Sequence, residues 1–240
     1  MSERNRARTV ILAGATGRTG PTVLHTFLAA GYQVSAIGRD QGKLDATLRD
    51  LPRDAAVLPA LADLVDPAQV ERAVDQTVTR FGRVDAMVDL AQSGAAWKPF
   101  AETSVDDLRR SVEGGLVTAY NLCRAVIAPM LAQDEGYIVT VAGGSAFDPG
   151  YGRALFGAVK AAIVTMTKGI ARDHKAQGIR ANCLVAGTIA TDAARGYLSP
   201  EDFLAAATMQ EFADALLFLA SPAASGLSGA AIELNGREVD

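Results

Sequence analysis

Seven short apolar runs, separated by amphipathic stretches, limit what this chain can fold into more than any other feature. They are Thr9 to Ala13, Gln33 to Ile37, Ala56 to Pro59, Val84 to Asp89, Tyr137 to Val141, Ile179 to Val185 and Ala230 to Leu234. Each is too short for a helix and continuously hydrophobic, the pattern of a strand covered on both faces. Between them, Val70, Ala73, Val74 and Val78 recur at helical spacing, behind an N-cap and first-turn proline at Asp66-Pro67. Longer helices are predicted from Val105 to Ala132 and from Arg153 to Lys175, and Thr188 to Pro200 reads as a loop. Strands alternating with helices predict a parallel sheet with helices on both faces. With no repeat or linker, residues 1–240 read as one domain, a length at which single α/β domains are common.

Composition removes several function classes. Twenty-three basic against 27 acidic residues give a net charge of −4, without the basic stripe of a nucleic-acid surface. Two histidines, His25 and His174, make no zinc cluster, and no metal is expected. Cys123 and Cys183 sit in apolar segments and read as reduced, buried thiols of a cytoplasmic protein. No apolar run is expected to reach the roughly 20 residues of a membrane span. The charged start is followed by too short an apolar run for a secretory signal. The partner left is a small molecule.

The first strand runs into Gly14-Ala15-Thr16-Gly17-Arg18-Thr19-Gly20, followed by a helical stretch from Thr22 to Ala30. Glycines at three-residue spacing let the backbone turn tightly and approach a pyrophosphate, while the helix N-terminus offers donors and positive potential. A tight turn alone would use the same residues, but the place between first strand and first helix points to a dinucleotide. At the end of the second strand, Arg39 offers a planar guanidinium to a 2′-phosphate, with Arg18 as a second candidate. NADP is therefore favoured over NAD, with Asp40 left as a possible ribose acid.

The chain resembles the short-chain dehydrogenase/reductase family over nearly its whole length. Asp63-Leu64 matches the acid that meets the adenine, and Val84 through Asp89-Leu90-Ala91-Gln92 resembles a worn Asn-Asn-Ala-Gly segment. Ile179-Arg180-Ala181-Asn182 and Ala186-Gly187-Thr188-Ile189, with Thr191, resemble the segment that holds the nicotinamide carboxamide. The tail from Phe212 to Gly229 matches the family's ending. The glycine pattern is closer to extended and atypical branches, small flavin reductases among them. The resemblance implies a Rossmann-type doubly wound α/β fold.

It also implies where catalysis should sit. Family members pair a tyrosine with a lysine four residues on, a serine thirteen positions before the tyrosine, and an asparagine on the preceding helix. Lys160 occupies the lysine position, but Phe156 stands for the tyrosine, Gly143 for the serine and Gly115 for the asparagine. Ser145 and Tyr151 are the nearest candidate substitutes, and Asp148, Asp89 and Gln92 are further polar groups near the site. Trp97 is as well placed to line a substrate pocket as to anchor a loop. The segment between Thr191 and Gln210 is short for a substrate lid.

Three functions fit these residues. One is an NADP(H)-dependent oxidoreductase whose acceptor needs no tyrosine proton, such as a quinone, a flavin or a conjugated ring. A second is a cofactor-binding pseudoenzyme or regulatory subunit. A third is a non-redox isomerase or lyase using Ser145, Asp148 or Tyr151. Val159, Ala161, Ala162, Ile163, Val164 and Met166 leave their helix little polar surface, which predicts a homo-oligomer, a tetramer or dimer.

Overall fold

The computed structural model describes residues 6–237, with β1 (Thr9–Ala13) as the third strand across a seven-stranded parallel sheet. From β1 the chain winds outward through α1 (Gly20–Ala29), β2 (Gln33–Gly38) and α2 (Gln41–Leu48) to β3 (Val57–Leu61) at one edge. It returns along α3 (Pro67–Phe81) to β4 (Ala86–Asp89), which pairs with the other side of β1. It then runs outward again through α4 (Val105–Ser111), α5 (Thr118–Ala132), β5 (Gly136–Gly143), α6 (Ala154–His174) and β6 (Ile179–Ala186). Two further helices, α7 (Pro200–Ala205) and α8 (Met209–Leu219), precede the edge strand β7 (Ala231–Leu234). The resulting order is β3-β2-β1-β4-β5-β6-β7. The winding reverses between β1 and β4, which opens a crevice at the carboxyl ends of these strands.

Local chemistry explains the main boundaries. Asp66 accepts hydrogen bonds from the amides of Ala68 and Gln69 and starts α3, while Gly82, at φ 78°, ends it in the left-handed region. One face of the sheet packs Val10, Leu12 and Val139 against Phe27 of α1 and Phe212 and Leu216 of α8. The other packs Ile11, Met87 and Ile138 against Val70 and Val74 of α3 and Leu122 and Val126 of α5.

Three expectations need correction, and the loop after Thr188 gains detail. β3 and β7 are only partly covered, because an edge strand has a neighbour on one side and their outer residues meet solvent. The predicted helix from Val105 to Ala132 is interrupted by a π-helical stretch over Val112–Val117, where Gly114 and Gly115 sit. The predicted loop after Thr188 is anchored by an isolated bridge between Ile189 and Ala207 and leads into α7. Finally, Val105–Ala132 and Ala154–Gln177 are long and apolar enough to cross a membrane by length and composition. Core helices of a water-soluble fold pass the same test, and both pack on the sheet here.

Candidate active site

Two cavities meet over the crevice. The first, about 250 Å³, is lined by Gly14, Thr16, Gly17, Arg39, Asp63, Leu64 and Ala91, among others. The second, about 240 Å³, is lined by Thr19, Gly143, Phe156, Lys160, Gly187 and Ile189, among others. Leu90 and Gln92 line both and form the neck between them. A wider, open hollow of about 720 Å³ beside β3 and α3 lies away from all of these residues.

Backbone approach dominates the first cavity. Gly14 has φ 75°, and a Cβ there would stand 3.0 Å from the Ala91 nitrogen. A Cβ on Gly20 would lie 2.2 Å from the Ala15 carbonyl oxygen, so α1 can start this close to β1 only with glycine. Thr19 makes no side-chain cap and no acid occupies the first turn of α1, which leaves its N-terminal end open to an anion. Asp40 is the N-cap of α2 and accepts from the Lys43 amide at 2.8 Å. One of its carboxylate oxygens is thereby tied to the helix, and Asp40 lines the cavity together with Arg39 and Lys43. Asp63 accepts from the Val65 amide at 3.1 Å. Glycine cradle, open helix end and facing cations fit a dinucleotide.

The second cavity centres on Lys160, which is 6% exposed and donates to the Val141 carbonyl at 3.0 Å. Burial pushes its pKa down, and the carboxylate of Asp89 opposes that shift. Asp89 is itself buried, accepts from the Ala91 amide at 2.9 Å, and is pushed up to about 6 by desolvation. The Phe156 ring lies 5.6 Å from the Lys160 ammonium, and Trp97 lies against it with centroids 4.9 Å apart and planes at 32°. The Arg153 guanidinium covers Trp97 at 5.0 Å. The result is a column of cation, ring, ring and cation, with Trp97 58% exposed at its outer part.

The remaining candidates separate clearly. A Cβ added at Gly143 would meet Phe156 Cε1 at 3.5 Å, an ordinary contact, so positions 143 and 156 are brought together. Gly115 is different: a Cβ there would lie 2.6 Å from Val159 Cγ1 and 3.2–3.3 Å from the Gln92 amide. Its space is already filled. Ser145 is buried beside Gly157 and does not line the cavity, whereas Tyr151 is 91% exposed in a turn. Asp148 and Arg18 are exposed and line neither cavity. Thr191 turns its hydroxyl to the Ala194 amide at 3.3 Å. Sequence reasoning misses Lys43, which stands four residues after Arg39 in the first turn of α2.

The sequence profile of the short chain dehydrogenase family matches residues 8–202. The chain belongs to that family. One family relative is 2-(R)-hydroxypropyl-CoM dehydrogenase of Xanthobacter autotrophicus, 30% identical over 244 residues, covering 96% of this chain and 98% of that protein. Among solved structures, ElxO with NADP bound superposes with a TM-score of 0.87 at 21% identity, covering 95% of this chain and 96% of the other. NAD+-bound xylitol dehydrogenase superposes at 0.85 and 19% identity, covering 96% and 98%. Membership makes the fold that of an NAD(P)-dependent oxidoreductase family.

Proposed function

We propose that this chain binds NADP(H) across the two joined cavities and delivers hydride to an acceptor that takes no proton from residues 156 and 143. A quinone, a flavin or another conjugated ring has this property. The observation that carries the reading is the Phe156 ring, in contact with Lys160 and Trp97 where a hydroxyl donor would be needed for a ketone. Bound NADPH supplies the hydride. Lys160 offers its remaining N–H donors to the cofactor ribose, and Phe156, lining the same cavity, offers an apolar contact to a conjugated acceptor. Arg153 favours an acceptor that gains negative charge. Neither Phe156 nor Gly143 can donate to a developing alkoxide, and a missing general acid lowers rate about 10²–10⁴-fold. Arg39 and Lys43 supply positive charge for a 2′-phosphate, while Asp40 beside them gives one carboxylate oxygen to the cap of α2.

The test is a titration with NADPH, followed by NADPH oxidation measured against panels of ketones and quinones. Quinone turnover should exceed ketone turnover by about 10² or more. Fast ketone reduction that disappears on changing Tyr151 or Ser145 would overturn the proposal. Binding without turnover of any acceptor would favour a cofactor-binding pseudoenzyme instead.

Self-association belongs to the same reading. Only 44% of the apolar stretch in each of Val105–Ala132 and Ala154–Gln177 is buried within the chain. Val105, Leu108 and Tyr120 remain exposed on the first of these. A second copy covering these helices would give a dimer or tetramer, so light scattering should return a multiple of 25.0 kDa. A monomer at micromolar concentration counts against it.

A further inference from the structure

Gln92 carries an oxygen that nothing among the described residues satisfies. Its side-chain nitrogen donates to the Ser93 carbonyl at 3.1 Å, which assigns the amide's orientation, yet Oε1 is buried with no hydrogen-bond partner. Leaving a buried acceptor unpaired costs about 1–3 kcal/mol, so an amide held this way implies a donor that arrives from outside the fold. The position narrows the choice. Gln92 and Leu90 are the two residues that line both cavities, and Leu90 has no polar side-chain atom. The amide lies against the bare backbone of the π-helical stretch, where a Cβ at Gly115 would press on it at 3.2–3.3 Å. Gly115 therefore provides room for Gln92.

A dinucleotide that spans the cavities must pass this neck, and its groups are not equivalent there. The diphosphate offers only acceptors, which an amide oxygen cannot bind. A ribose offers hydroxyl donors. We propose that Gln92 is a cofactor-binding residue whose Oε1 accepts a hydrogen bond from a hydroxyl of the ribose on the Lys160 side of the neck. Lys160 and Gln92 then hold the same sugar from two elements, α6 and the segment after β4, with no help from a tyrosine hydroxyl. The inference rests on the proposed dinucleotide site and adds a residue to it.

Two ligands separate the outcomes. NADPH reaches both cavities, whereas 2′,5′-ADP carries only the adenosine half. In Gln92→Leu, calorimetry should show NADPH bound about tenfold more weakly, the equivalent of about 1.4 kcal/mol, with 2′,5′-ADP affinity unchanged. Gln92→Met, flexible and of similar length, should give the same split and guards against a folding defect in the leucine variant. Unchanged NADPH affinity in both variants, as a trapped water on Oε1 would give, overturns the inference alone. So does equal weakening of both ligands, which would mark a packing role. A native protein that binds neither ligand overturns the dinucleotide site and this inference with it.

Discussion

On the Arg39 side of the cleft, the groups that shape the cavity are held by neighbours in sequence. Asp40 caps the amide of Lys43, Asp63 accepts from Val65, and the glycine turn closes through Gly17 to Gly14. On the Lys160 side the contacts come from far along the chain. Lys160 reaches Val141, Phe156 meets Trp97, and Gly115 faces Gln92. The difference has a physical consequence. Backbone amides and glycines grip a phosphate whatever the surrounding side chains are, so the first half tolerates drift elsewhere. Proton donation needs particular hydroxyls, and neither Phe156 nor Gly143 carries one.

The sharpest way to break this comparison is to restore the hydroxyls. Because a Cβ at Gly143 finds ordinary contact distance to Phe156, serine and tyrosine should fit there together. Phe156→Tyr with Gly143→Ser should raise ketone reduction about 10²-fold while NADPH affinity stays similar. An optical assay of NADPH oxidation checks the rate and calorimetry the affinity. If affinity collapses instead, the two halves are not separable.

A smaller effect tests Asp89, which lies beside the neck between the halves. Its pKa rises from 3.8 in the unfolded chain to about 6 in the folded one. Between these values the native state binds more protons than the unfolded state, so stability falls as pH rises, and the full penalty stands above pH 6. Asp89→Asn keeps an acceptor for the Ala91 amide and removes the buried charge. It should stabilise the protein by on the order of 2 kcal/mol at pH 8 and by almost nothing near pH 4. Urea denaturation at both pH values checks the slope, and a gain independent of pH would show that charge is not its source.

The smallest effect belongs to the Arg39 side. Arg39→Ala should reduce the preference for NADPH over NADH about tenfold, with NADH affinity little changed. Equal losses for both cofactors would assign Arg39 to packing around the adenosine rather than to the phosphate.

The sheet was legible because each strand is a local run, and β1 with its glycine turn carries its pattern within a few residues. Partial exposure of β3 and β7 was not, since edge position depends on strand order rather than on composition. The same distinction governs the site. Lys160 and Phe156 stand out by their four-residue spacing. The stack of Trp97 on Phe156 joins residues far apart in sequence, and no local pattern encodes it. The π-helical stretch at Gly114 and Gly115 also escaped, because a single inserted residue leaves the helical periodicity on either side intact.

The two thiols have a bearing on durability. Cys123 and Cys183 are both buried and unpaired, and burial drives the pKa of each upward, so neither forms appreciable thiolate near neutral pH. Quinones and related acceptors are electrophiles that add to thiolates. A protein that hands electrons to such molecules risks alkylation by its own substrate, and this chain has no other cysteine to offer. Both thiols are thereby shielded from electrophiles, the acceptors of the proposed reaction included.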